Sequence, residues 1–322
     1  MSVNADPLVR SLPDVPEVIE KIKAGIYSLC GGVVRYAAGS SKGGQIVGHL
    51  IFPSDSEEIQ KRLEQLQSTL SEGLGSLQTG MGQLQQNMNV LQGLQSANLV
   101  MSGLNLAVTT AGFIVVCKKL DGISEQIQAQ SHGIAQIVQV VSDLHERSLL
   151  KSESDFRASV LTAKQFCEQG DVELLKHLIR PFHEKYQFAK LVLEKHASIP
   201  ASSVERIGEI KLLQDRLVHL GLMLSHVQMK TGAIKQSHES VKQLESDLTS
   251  LNARRVEVLV NNRAIASIIT PSQFSELTGF LQQGKQMLPA LTYQADVIEL
   301  EMRRPGMLER AAGTKEIMLI AA

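Results

Sequence analysis

The clearest pattern along the chain is a heptad repeat of apolar side chains over residues 59–91. The apolar positions recur at steps of three and four, with one extra step of four near Leu74. This spacing places a single apolar stripe on a helix, the seam through which helices pair in coiled coils. A capping box formed by Ser54 and Glu57 predicts that the helix begins there. The seam consists of Ile59, Leu63, Leu66, Leu70, Leu74, Leu77, Met81, Leu84, Met88 and Leu91.

A second apolar seam follows, so that two heptad arms flank residues 94–119. The arms either form one continuous rod or fold back as an antiparallel hairpin. We favour the hairpin because it buries both seams within one chain, and glycine weakens a helix at the candidate bends Gly93, Gly103 and Gly112. Residues 54–150 are therefore predicted to form a long helical hairpin with an uncharged apolar centre. The second seam consists of Leu120, Ile123, Ile127, Ile134, Ile137, Val141 and Leu144.

Residues 1–53 are predicted to form a cap made of one helix and a β-hairpin. Pro16 suits the first turn of a helix, and an apolar stripe follows it until Gly31 and Gly32. The β-branched runs 33–37 and 45–52 then predict two strands joined by a glycine-rich turn. Two strands alone are marginally stable, so we expect helices to support them. The helical stripe consists of Ile19, Ile22, Ile26 and Leu29.

Residues 151–322 are predicted to form a bundle of shorter helices. Asp171 and Pro181 mark helix boundaries, and capping boxes are predicted at Ser202 with Glu205 and at Thr270 with Gln273. The apolar tail 317–320 fits more than one kind of element. The apolar seam in this region consists of Val204, Ile207, Leu217, Leu220, Leu224 and Val227, and is continued by Val241, Leu244, Leu248 and Leu251.

Composition supports a mainly α fold, a long antiparallel coiled coil or helical bundle with a small N-terminal β-hairpin. Hydrophobic residues make up 43% of the chain and aromatic residues only 4%, so the core must consist mostly of aliphatic side chains. The net charge of −1 gives no basic field for nucleic acid. Three separated cysteines fit neither a disulfide framework nor a zinc site. The first 16 residues lack the apolar core of a conventional secretory signal, so we expect a membrane-associated or cytoplasmic protein.

The segment between the two arms is the strongest functional signal. No charged side chain occurs in the 45 residues from Gly73 to Cys117. Its second part, Ala97–Cys117, has the length of about 20 residues that a membrane-spanning helix needs. Lys118 and Lys119 end it and are candidate anchors at lipid headgroups.

Small residues within this segment suit close helix packing. Gly103, Ala107 and Ala111 recur every four residues and are followed by Gly112 and Phe113. Asparagine and threonine side chains lower the hydrophobicity of the segment. Three hypotheses therefore stand: a membrane span, the buried central helix of a soluble bundle, or a masked segment that a trigger exposes.

Two resemblances bear on this segment. The predicted hairpin, followed by Leu104-Asn105-Leu106-Ala107-Val108 and Gly112-Phe113, resembles a group of bacterial helical proteins of unassigned function over roughly the first 150 residues. That resemblance implies no activity. The layout of an apolar stretch between helical arms also resembles, in architecture alone, the α-helical pore-forming toxins, and no residue role is carried over from them.

Motifs for enzymatic chemistry do not emerge from the sequence. Residues 279–286 nearly match a phosphate-binding loop, but Gln286 replaces the required Ser or Thr and no strand precedes it. His219 and His226 share a helical spacing without further metal ligands nearby. Arg254-Arg255 and Arg303-Arg304 fit solvated helix faces better than phosphate clamps. We therefore predict no catalytic, cofactor-binding or metal-binding residue and no cofactor.

These patterns together favour a non-enzymatic helical protein that associates with or inserts into membranes through Ala97–Cys117. A pore-forming or membrane-perturbing effector is the sharper version of this hypothesis. The alternative is a soluble coiled-coil scaffold or partner-binding protein with the same segment as its buried core. The expected partners are membrane lipid, conditionally, and further copies of the chain joined through the heptad seams, with no nucleic acid.

Overall fold

The computed structural model describes residues 9–51 except 31, parts of 58–66 and of 151–169, and residues 170–308 and 314–321. The chain divides into two compact units. The first comprises residues 1–112 and 292–322, and the second comprises residues 113–291. The described part is mainly helical, with a small antiparallel sheet in the first unit.

The first unit contains a five-stranded antiparallel sheet with the order β1-β5-β4-β3-β2. Its strands are β1 (Val9–Ser11), β2 (Tyr27–Cys30), β3 (Val33–Tyr36), β4 (Ile46–Ile51) and β5 (Met318–Ala321). The predicted hairpin is confirmed as β3 and β4. The apolar tail is the strand β5, which pairs with β1 on one side and with β4 on the other. The hairpin is thus supported by further strands as well as by helix.

Helix α1 (Pro16–Lys23) begins at the predicted proline but ends earlier than its apolar stripe. Gly25 follows with a φ of 70°, a left-handed conformation that terminates a helix. The stripe was therefore wrong beyond Ile22. Leu29 lies in β2 and pairs with Val34 of β3. A strand can bury Leu29 as a helix would, because alternate side chains of a strand lie on the same face.

The end of the last helix is joined to the sheet by a buried hydroxyl. Tyr293 donates a hydrogen bond to the carbonyl oxygen of Leu50, the next-to-last residue of β4. Burial raises the pKa of Tyr293, so this hydroxyl keeps its proton over the neutral range. Gly32 has a φ of 87°, and a Cβ there would lie 2.9 Å from the Tyr293 ring, so this turn requires glycine.

The described part of the second unit is mainly helical. Its helices include α2 (Val172–Ala197), α3 (Pro200–Glu205), α4 (Ile207–Lys230), α5 (Ile234–Asn261), α6 (Arg263–Ala266) and α7 (Pro271–Arg303), the last turns of which belong to the first unit. Helices α2, α4 and α5 pack against one another. The predicted seam is buried along α3, α4 and α5, with a turn at Gly232 between the last two helices.

The predicted boundaries of these helices were right in two places and wrong in two. Asp171 caps α2 by accepting a hydrogen bond from the Leu174 amide, and Thr270 and Gln273 form the predicted capping box of α7. Pro181, however, lies inside α2, because the residues on both sides of it are held by packing. Ser202 also lies inside a helix, since α3 begins at Pro200.

Candidate functional site

The segment that the sequence singles out lies outside the described residues. The same holds for the residues of both heptad seams except Leu66, which is a buried helical residue. Within the part that is described, no helix is both long and apolar enough to cross a membrane. The predicted segment and anchor residues concerned are Ala97, Gly103, Ala107, Ala111, Gly112, Phe113, Cys117, Lys118 and Lys119.

The described chemistry is concentrated inside the helical unit, where α5 carries two buried charges. The first is Asp247, whose carboxylate is surrounded by donors. The Tyr186 hydroxyl donates to Oδ2 at 2.8 Å, and the Gln243 amide donates to Oδ1 at 2.7 Å. The Lys190 ammonium lies 2.8 Å from Oδ1. We call these four residues the Asp247 cluster.

The Asp247 cluster is a structural lock between α2 and α5. Burial, reinforced by the neighbouring carboxylate, raises the pKa of Tyr186, so its hydroxyl stays protonated and keeps donating. Both oxygens of Asp247 are satisfied, and a positive charge balances the negative one. Such an arrangement holds two helices in register and leaves no group available for a ligand.

The second buried charge is Arg255, which is fully buried at 0% exposure. Its guanidinium lies 4.9 Å from the centre of the Phe280 ring, and its Nη1 donates to Asn252 Oδ1 at 3.0 Å. Nε and Nη2 have no hydrogen-bond partner. Among the described residues no carboxylate pairs with it. Burial lowers its pKa to about 10, so the side chain is still a cation at neutral pH.

Asn252, the hydrogen-bond partner of Arg255, lies at a closely fitted meeting point of helices. Gln214 on α4 is buried, with its Oε1 atom unpartnered. On α7, a Cβ at Gly284 would lie 2.8 Å from Asn252 Nδ2 and 3.6 Å from Gln214 Nε2. Glycine at this position therefore lets α7 approach the two amides. We call Gln214, Asn252, Arg255, Phe280 and Gly284 the Arg255 site.

An open groove of about 630 Å³ lies between α5 and α7, beside this site. Its surface is mostly apolar, and Asn252 belongs both to its wall and to the Arg255 site. Lys285 and Glu257 are the charged residues of its lining. We call this surface the α5–α7 groove. Its lining includes Asn252, Val256, Val260, Leu281, Lys285 and Leu288.

The structure decides several of the sequence-based interpretations. Residues 279–286, which nearly match a phosphate-binding loop, lie within the helix α7 and do not form a loop. Arg254 is exposed, as expected of a solvated helix face, but that interpretation was wrong for Arg255. The physical reason is helical periodicity: neighbouring residues point about 100° apart, so one arginine of a pair can face the core.

The histidines form no metal site in the described residues. His219 and His226 both lie on α4, where His219 contacts the backbone carbonyl of Asp215 and His226 is buried. No group of three potential metal ligands is found in the part of the chain that the structure describes. His196, at the end of α2, lies 3.8 Å from Glu209, and burial lowers its pKa although Glu209 opposes this effect.

Comparisons of the chain with protein-family models, with curated proteins and with solved structures gave no match. The Arg255 site is the feature that sequence reasoning missed. One signal was present: Leu244, Leu248, Leu251 and Arg255 continue the spacing of the buried seam, which places the arginine on the core face of α5.

Proposed function

We propose that this is a non-enzymatic helical protein that associates with or inserts into membranes through Ala97–Cys117. The observation that carries the proposal is the absence of any charge over the 45 residues Gly73–Cys117. A charged side chain at the centre of a bilayer costs several kcal/mol, roughly 3 on insertion scales, so a charge-free run of this length is compatible with lipid. The lysines that follow it suit the headgroup region.

The position of the segment in the chain supports the sharper version, a pore-forming or membrane-perturbing effector. Folded elements precede it and follow it, since β4 ends at Ile51 and α2 begins at Val172. Heptad seams predicted on both of its sides would bring helices together, within one chain or between copies. An apolar segment that lies between such arms can enter a bilayer while the remainder of the protein stays in water.

A soluble scaffold remains the alternative function. The ridge of Gly103, Ala107 and Ala111 suits close helix packing in either environment, and the asparagine and threonine side chains of the segment suit a protein interior. In this version the same segment is a buried core. The protein then partitions with the aqueous phase and assembles through its seams.

Liposome flotation followed by an alkaline carbonate wash separates the two functions. We expect the full chain to float with vesicles and to survive the wash. The double variant Ala107→Lys with Ala111→Lys should lose flotation, because it places two charges one turn apart within the proposed span.

A matched control adds two lysines at the same spacing elsewhere. Gln187→Lys with Leu191→Lys changes an exposed face of α2 and should leave flotation intact. Undiminished flotation of the Ala107/Ala111 variant would contradict the assignment of this segment. Failure of the unchanged protein to float, together with a defined oligomer in size-exclusion chromatography, would favour the scaffold.

A further inference from the structure

Apolar side chains are exposed where α5 gives way to α7. Val260, Ile268 and Phe274 are 70%, 69% and 62% exposed. The first two are the most exposed large apolar side chains of the residues that the structure describes. We call residues 260–274 the α5–α7 tip. Exposed apolar groups that lie together mark a contact with another apolar surface.

The tip lies at the turn of an antiparallel helix pair. Arg255 of α5 stacks on Phe280 of α7. Further from the tip, Asn252 of α5 lies against Gly284 of α7. Both pairs are centred near Ile268, which therefore lies at the apex of the turn.

Charged side chains are nearly absent from this turn. Arg263 is the one charged residue among the 18 residues 258–275, although charged residues make up 20% of the whole chain. The arginine is exposed. The first acid beyond the tip, Glu276, is paired with Lys211 of α4 at 3.1 Å. The tip thus presents apolar side chains together with one positive charge.

The helix ends within the tip are completed by the tip's own side chains. Asn262 accepts a hydrogen bond from the Ile265 amide, and the Ser267 hydroxyl donates to a carbonyl of α6. The amides of Thr270 and Gln273 are bonded within their capping box. Helix ends that depend on water resist transfer to an apolar medium, because each backbone group that loses its partner costs free energy. A tip that supplies these partners itself can leave water at a smaller cost.

We propose that the α5–α7 tip is a second membrane contact, in which Ile268 and Phe274 enter the bilayer interface to a depth of about 5–10 Å and Arg263 binds acidic headgroups. The choice of a bilayer as partner rests on the proposed membrane function and on three properties of the tip. It is apolar at its apex, it lacks acidic residues, and its helix ends are internally hydrogen-bonded. The contact is shallow and reversible, unlike the span proposed for Ala97–Cys117.

The chain contains no tryptophan, so a single introduced indole reports on one position. Phe274→Trp places it on the tip, and Phe188→Trp places it on α2, where Phe188 is similarly exposed at 55%. The full-length proteins are titrated at equilibrium with vesicles of phosphatidylcholine, alone or mixed with phosphatidylserine. We expect the emission of Phe274→Trp to shift to shorter wavelength and that of Phe188→Trp to stay unchanged. Lipids brominated near the headgroup should quench Phe274→Trp more than lipids brominated near the chain end.

Further changes in the Phe274→Trp protein separate apolar insertion from charge attraction. Arg263→Gln should lower partition into vesicles with phosphatidylserine about fivefold, for one lost charge, and leave partition into phosphatidylcholine unchanged. Ile268→Glu should abolish the shift on both lipids, because a carboxylate at the apex opposes entry into an apolar phase. Leu191→Glu on α2 is the matched control, since Leu191 is 62% exposed, and it should bind like the unchanged protein.

Several results would overturn the proposal: no shift on either kind of vesicle, an equal shift for Phe188→Trp, or unaltered binding in Ile268→Glu. A shift that grows with protein concentration in the absence of lipid would also overturn it, in favour of a contact between copies.

The Ala107/Ala111 lysine variant distinguishes this contact from the proposed span. Combined with Phe274→Trp, it should still show the shift at equilibrium, although the contact is too weak to hold the protein on vesicles through a flotation gradient. Loss of the shift in this variant would overturn the tip as a contact of its own. Failure of the unchanged protein to float, with the shift intact, would count against the span alone.

Discussion

Asp247 and Arg255 lie on the same buried face of α5, about two helical turns apart, but the protein neutralises only the charge of Asp247. The carboxylate of Asp247 accepts hydrogen bonds from Tyr186 and Gln243 and is paired with Lys190. The guanidinium of Arg255 has one amide partner and one aromatic ring, and an unpaired edge. The same helix thus contains one neutralised charge and one that is not.

This difference separates two reasons for burying a charge. A charge with a full set of partners fixes how helices pack, and it can be explained by the fold alone. A charge without them lowers the stability of the fold, so its explanation lies in something that the folded protein does. Stability measurements at the two positions should therefore differ in sign.

The largest effect is expected from removing the satisfied charge. Asp247→Ala leaves Lys190, Gln243 and the Tyr186 hydroxyl without their acceptor and should lower the free energy of unfolding by about 3 kcal/mol. Urea unfolding followed by far-ultraviolet circular dichroism measures this loss. Tyr186→Phe removes one hydrogen bond and should cost about 1 kcal/mol. A loss below about 1 kcal/mol for Asp247→Ala would show that the cluster is not a lock.

Arg255→Met should have a smaller effect of the opposite sign. Methionine fills a similar elongated space over Phe280 and removes the unpaired charge, so we expect a gain of about 1 kcal/mol in the free energy of unfolding. The exposed Arg254→Met should stay within about 0.5 kcal/mol of the unchanged protein. A marked loss for Arg255→Met would mean that the guanidinium is structural, and the contrast with Asp247 would disappear.

The smallest effect is a dependence on pH that involves His196. Burial lowers the pKa of this histidine in the folded protein, so the unfolded chain binds the proton first as the pH falls. Stability is therefore fully present above about pH 6.5 and is lost as the pH drops through the lowered folded pKa. Because the nearby carboxylate of Glu209 opposes the effect of burial, we expect a loss below about 1 kcal/mol between pH 7 and pH 5. His196→Gln should flatten the thermal-denaturation profile, and an unchanged slope would refute this assignment.

Sequence patterns anticipated those elements in which one strong local signal dominates. The strands β3 and β4 follow from β-branched runs around a glycine-rich turn, and the start of α7 follows from Thr270 and Gln273. The seam along α4 and α5 follows from its spacing, because a buried helical stripe must recur every three to four residues.

The elements that were missed either have a sequence pattern that fits a helix and a strand equally well, or are determined by pairing with residues far away in the chain. Ile26 and Leu29 continue a helical stripe equally well, and it is the conformation at Gly25 and pairing with β3 that make this stretch a strand. The strand β5 is too short to show a clear strand pattern in the sequence. It is determined by its pairing with β1 and β4, which lie far away in the sequence. Of the candidate sites, the sequence identified the uncharged segment, but it could not show that Arg255 lacks a counter-charge, because that depends on three packed helices.

The position of β5 between β1 and β4 also has a consequence for biosynthesis. When β3 and β4 have left the ribosome, the hydrogen-bonding groups of β4 that β5 will occupy still have no partner strand. They wait while the residues between Ile51 and Met318 are added, on the order of ten seconds to a minute at cellular rates of synthesis. An apolar strand with an open edge is a template for pairing with other chains. The sheet of the nascent protein can therefore close only after residues 318–321 have been synthesised.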